Sequence, residues 1–222
     1  MKKHNKTPIW RIGTKIVLSL LALLLCFTGC VKKPTPWPED QPLPTSFDDF
    51  SGFDELDLTK PAEEILADAR ELGYVVIVED TVDEDSHAIW KKFMETTAKG
   101  RPARVKTLSY GAPGGSHPIV LKEIVYSDSL YYAGWLNQTT GQVEFRTVKR
   151  YLAGGVMKSC RSGASDCDCK LEQYCLTDLS DFNLEEYWNF YASTTVETDR
   201  DELYLHSYIV YFVNTPPCQS AD

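Results

Sequence analysis

The chain has 222 residues, with 23 Lys and Arg against 32 Asp and Glu, a formal net charge of −9. So acidic a surface repels phosphate, which argues against nucleic acid as a partner. Its 12 Tyr suit a core rich in sheet.

The first segment is the most telling. Lys2, Lys3, Lys6, Arg11 and Lys15 precede an apolar run from Ile16 to Phe27, and Thr28-Gly29 stand directly before Cys30. A basic stretch, an apolar core and then small residues is the grammar of a secretory signal. Thr28-Gly29-Cys30 resembles the lipobox of bacterial lipoproteins, with Phe27 where leucine is commoner. That resemblance implies cleavage before Cys30, diacylation of its thiol (palmitate is one such group) and a lipid-anchored protein on the outer, extracytoplasmic face of the cell membrane. Cys26 suits the role less, because bulky Leu24 and Leu25 precede it. The competing reading is an uncleaved anchor. The apolar run is short of the ~20 residues a span needs, unless Ile9, Trp10 and Ile12 are drawn in.

Removing residues 1–29 as a signal peptide leaves 18 basic against 32 acidic residues, a net of −14. Anionic head groups repel such a chain, so two acyl chains on one cysteine, and not a basic patch, would hold it to the membrane.

Residues 30–58 read as a lipidated cysteine followed by a tether. Pro34, Pro36, Pro38, Pro42 and Pro44 exclude a helix and favour an extended path. Residues 47–58 are acidic, with interleaved Phe47, Phe50, Phe53 and Leu56. They are read either as disordered or as docked on the domain through those aromatics.

A single domain is expected over 59–218. Thr59 caps a first helix, Pro61 fits its first turn, Glu63 and Glu64 suit its positive end, and Gly73 stops it. Tyr74–Val78 reads as a buried strand. Asp83 or Asp85 opens a second helix with the stripe Trp90, Phe93, Met94 and Thr97, ended by Gly100. The period then changes to that of strands over Val105–Tyr110, Ile119–Tyr126, Leu130–Leu136 and Val143–Tyr151, split by turn residues. Short turns between consecutive strands predict an antiparallel meander. Leu171–Leu176 and Glu202–Val213 add strand signals, and Asn183 with Glu186 forms a capping box for a short helix.

The stretch from Gly73 to about Leu176 resembles an uncharacterised domain family of small Gram-positive bacterial lipoproteins. The residues that carry the likeness are the strand Tyr74–Val78, the helix bearing Phe93, Gly100-Arg101, the strand Val105–Tyr110, Pro118-Ile119 and Leu171-Glu172-Gln173-Tyr174-Cys175. Members end with a second cysteine after a Tyr-Leu pair. Here Tyr204-Leu205 is followed by Tyr208, and the nearest cysteine is Cys218, so no disulfide is carried over. The family has no assigned activity, and the likeness implies fold and location only.

Five cysteines remain besides Cys26 and Cys30. Cys160, Cys167, Cys169 and Cys175 mark a cysteine-rich loop over 160–175, and Cys218 lies near the end. An exported chain forms disulfides, and the loop predicts at least one. A metal site would need Cys-x-x-Cys pairs that are missing, so no metal or other cofactor is expected. The histidines His87, His117 and His206 form no recognisable triad with a nearby nucleophile. Gly111–Gly115 is not followed by a helix, so it is no phosphate loop. Asp80, Asp83, Glu84 and Asp85 lack calcium-loop spacing and read as a helix start.

The chain therefore reads as α+β: an antiparallel sheet of about five strands with two or three helices on one face. The expected role is a non-catalytic binding or accessory module that meets a protein or cell-envelope ligand. The alternative is a cell-envelope enzyme, a hydrolase or thiol-redox protein with scattered residues.

Overall fold

The computed structural model describes residues 38, 40–111, 119–158, 170–193 and 207–215. The expected signal over 1–29 and Cys30 lie outside the described residues, as do Cys160, Cys167, Cys169, Cys218, His117 and His206. Among the described residues no helix is long and apolar enough to cross a membrane.

The elements are α1 (Ala62–Glu71), β1 (Val75–Val78), β2 (Thr81–Val82), α2 (Glu84–Ala98) and β3 (Ala103–Tyr110). Then follow β4 (Val120–Ser127), β5 (Leu130–Leu136), β6 (Val143–Lys149), β7 (Tyr151–Lys158), β8 (Lys170–Thr177), α3 (Leu184–Ser193) and β9 (Ser207–Thr215). The helix ends follow local chemistry. Asp83 caps α2 by accepting from the Ser86 N–H at 2.8 Å, and Asn183 Oδ1 accepts from the N–H groups of Glu185 and Glu186 at the start of α3. At α1 the cap position is Pro61, without a side-chain bond. The Thr59 hydroxyl, expected there as the cap, instead donates to Asp57 Oδ1 at 2.6 Å.

The class is α+β, but the sheet differs from the expected meander. Six strands pair in the order β2-β1-β3-β4-β5-β6, and β1 runs parallel to β3 because α2 separates them in sequence. A second, three-stranded antiparallel sheet has the order β7-β8-β9. The run Val143–Tyr151, read above as one strand, breaks at Arg150, with β6 in the first sheet and β7 in the second.

Nor do the helices share one face. Val75 and Ile77 pack with Trp90 and Phe93 of α2 and with Leu176, Val210, Tyr211 and Val213 of the second sheet. Val76, between them in β1, packs with Ile65, Leu66 and Ala69 of α1 on the opposite face. Alternate residues of a strand point to opposite faces, so the continuous apolar run of β1 needed a cover on both sides.

The upstream segment completes that opposite face. Phe53 and Leu56 join α1, while Leu43, Phe47 and Phe50 pack over Val125, Leu130, Tyr132 and Val148. Phe47 stacks on Tyr132 with centroids 4.1 Å apart. Of the two readings of residues 47–58, docking holds, and the packing reaches upstream of Thr59 to Leu43. Polar groups fix this strap. Glu123, fully buried, accepts from the Ser51 N–H (2.9 Å), the Ser51 hydroxyl (3.0 Å), the Gly52 N–H (3.2 Å) and Arg104 (2.5 Å). Arg104 also donates to the Asp49 carbonyl, and Arg150 to that of Gln41. A buried carboxylate is tolerable because these donors replace its lost water. Gly134, at the β5–β6 bulge, leaves room for Phe50: a Cβ there would stand 2.9 Å from the Phe50 ring and 2.6 Å from Val143.

Candidate functional site

Helix α2 places Glu84, His87, Ala88 and Lys91 along one stripe, at spacings of three and four residues. The adjoining stripe, with Trp90 and Phe93, is buried in the core. Facing the first stripe are Glu172 of β8 and Val213 of β9, direct cross-strand partners that share one face of the second sheet. Together with Val82 they enclose an open groove of about 410 Å³.

His87 is the hub. Its Nδ1 lies 3.3 Å from the Tyr211 hydroxyl and 3.6 Å from Glu172 Oε2. Glu172 is largely covered, its side chain 10% exposed against 32% for His87. Burial, reinforced by the Glu172 charge, pushes the Tyr211 hydroxyl well above the usual tyrosine range, and Tyr174 moves the same way for the same causes. Both phenols therefore stay protonated and can serve as donors near neutral pH. With Nδ1 engaged, Nε2 is the ring nitrogen without a bond among the described residues. Lys91 supplies a cation, Glu84 a carboxylate, and Val82, Ala88 and Val213 an apolar surface. The described lining offers acid–base and ionic contacts beside apolar area, and it contains no hydroxyl or thiol nucleophile.

Of the residues singled out from the sequence, His87, Asp83 and Glu84 line this groove and Cys175 does not. Cys175, counted with the cysteine-rich loop but also within the expected strand Leu171–Leu176, sits inside strand β8, fully buried, as a free thiol that accepts from Gln173 Nε2 at 3.2 Å. Burial pushes this thiol up to about 11, so it is protonated at neutral pH and a poor nucleophile. Cys160, Cys167, Cys169 and Cys218 lie outside the described residues. Asp83 and Glu84 form the start of α2, as read. The pairing of His87 with Glu172 and Tyr211 was not foreseen. His87 and Tyr211 are 124 residues apart, and no local motif links them. The available signal was a carboxylate, Glu172, in a strand otherwise poor in charge.

Protein-family models, curated proteins and solved structures all give no match to this chain.

Proposed function

We propose that the chain is an extracytoplasmic lipoprotein, anchored to the membrane through Cys30, whose folded unit is a binding module. The lipobox-like junction at Cys30 and the likeness to the lipoprotein domain family support the location. The observation that carries the binding role is the convergence of His87, Lys91 and Glu172 over the apolar floor of Val82 and Val213 in one open groove. Binding sites of this kind join apolar area to a few placed polar groups. The ligand is a protein segment or a component of the cell envelope.

A second reading, an envelope hydrolase, is favoured by the contact between His87 and Glu172. A carboxylate at Nδ1 orients an imidazole as a general base. One set of variants separates the two. Ala88→Phe fills the groove from an exposed helix, and His87→Gln removes the base. An envelope component retained by the parent and lost by Ala88→Phe supports the binding role. Turnover of envelope material that His87→Gln abolishes would replace that role with catalysis. Cys30→Ala should abolish incorporation of labelled palmitate, and a labelled mutant would overturn the anchoring.

A further inference from the structure

Among the described residues strand β7 is an edge of the second sheet, as is β9, and both are poor in charge. Sheets protect their edges with charge, shortness or cover. Strand β2 has two residues, and β6 carries Glu144 and Arg146, which pair at 2.9 Å. β7 has one charged residue, Lys158 at its last position. Val156 is 59% exposed, more than any other large apolar side chain among the described residues. Gly154 and Gly155 leave the backbone bare beside it. Gly154 is held there by sterics, since a Cβ would stand 2.0 Å from the Gln173 carbonyl oxygen. Gly154–Met157 and the first turn of α3, through Asn183, Leu184 and Glu185, flank an open groove of about 520 Å³. Among the described residues, no backbone bond outside the β7–β8 ladder uses these positions.

From this we infer that β7 is a docking edge that adds an extended, cationic segment of a partner polypeptide as a fourth strand. The backbone sets the partner's conformation, because a row of alternating N–H and C=O groups is matched by another extended chain. The exposed valine asks for an apolar residue opposite. Charge selects the rest. Glu185 and Glu186 open α3 beside the groove and the chain carries −9 overall, while Lys158 and Lys170 pair at the far end of β7, which disfavours a second copy and favours lysine or arginine in the part of the incoming strand next to α3.

The test uses the folded protein and a fluorescent, end-blocked hexapeptide of alternating lysine and valine. Saturable binding is expected below about 1 mM, with slowed amide exchange confined to β7. The same peptide with proline for valine keeps the charge but cannot form a ladder, and should bind at least about tenfold more weakly. Val156→Pro should weaken binding to a similar degree. Should that variant fail to fold, Val156→Lys on the exposed face keeps the N–H and sets like charge against the peptide, and the exchange data on the parent decide without either. Equal binding of the proline peptide would overturn the inference, as would protection outside β7 or absence of binding. Self-association of the parent, relieved by Val156→Lys, would instead make the partner a second copy.

Discussion

The indole of Trp90 lies flat on the phenol ring of Tyr211, with centroids 4.6 Å apart and planes 5° from parallel. This contact joins α2 to the second sheet, and one helical turn earlier His87 touches the hydroxyl of the same tyrosine. The groove therefore rests on the core it borders. Trp90→Ala should cost about 3–5 kcal/mol, a large share of the ~5–15 kcal/mol that holds a typical domain. The Trp90 Nε1 is buried with no hydrogen-bond partner among the described residues. Trp90→Phe keeps an aromatic stack and removes that orphan donor, so its cost should be about half as large. Urea unfolding of both variants checks the pair, and equal losses would show that the stack is not what matters.

The strap should detach before the rest unfolds. Glu123→Gln removes the charge that meets Arg104 and leaves the guanidinium and the two backbone donors of Ser51 and Gly52 with a weaker acceptor. A loss of about 3 kcal/mol is expected, most of it local to the strap. Limited proteolysis should then cut within 40–58 while the fragment from Ala62 onward persists. Unchanged protection of the strap would show that the aromatic contacts alone hold it.

Acid should loosen the same segment. Burial alone would raise the Glu55 carboxyl, but hydrogen bonds from Lys106 and Tyr74 outweigh it and hold the group below its ordinary 4.5. A depressed carboxyl contributes stability above its unfolded value and loses it as the pH falls through the folded one. Strap protection is expected to be constant above about pH 5 and to fall below pH 4.5. Glu55→Gln should flatten that dependence, as read by hydrogen exchange of residues 50–56.

Lys122 is expected to destabilise the protein at neutral pH. It sits in β4 between Thr107 and Trp135 on the neighbouring strands, with its amine 5.6 Å from the Trp135 ring. Burial pushes its amine down from 10.5 to about 8. A lysine lowered in this way weakens the fold below pH 8, and the penalty disappears as the pH rises toward 10.5. Lys122→Met should stabilise the protein by up to about 3 kcal/mol at pH 7, with the gain fading by pH 10.5. Denaturation at the two pH values checks this, and a pH-independent difference would point to packing in place of charge.

Most elements were legible because each is written in local chemistry. Asp83 and Asn183 cap their helices, the Trp90–Phe93 stripe has helical spacing, and turn residues separate β4, β5 and β6. The assembly of those elements was not legible. The break at Arg150 leaves no turn residue in the run Val143–Tyr151, so period alone could not divide it between two sheets. The two-sided burial of β1 is readable as a continuous apolar run, but which helix covers which side depends on chain crossing. The groove was hidden for the same reason, since Glu172 and Tyr211 reach His87 through the register of β8 and β9.

The strap also has a mechanical consequence. A pull applied from the N-terminal side meets Leu43, Phe47 and Phe50 before it meets any strand. These side chains lie across the sheet face and can come away one after another, like a strip of tape lifted from its end. The ladders β3–β4 and β4–β5 yield only when many backbone bonds break together. Load would thus be spent on the strap first and would uncover Tyr132, Val125 and Glu123, while α2, the second sheet and the groove between them kept their shape.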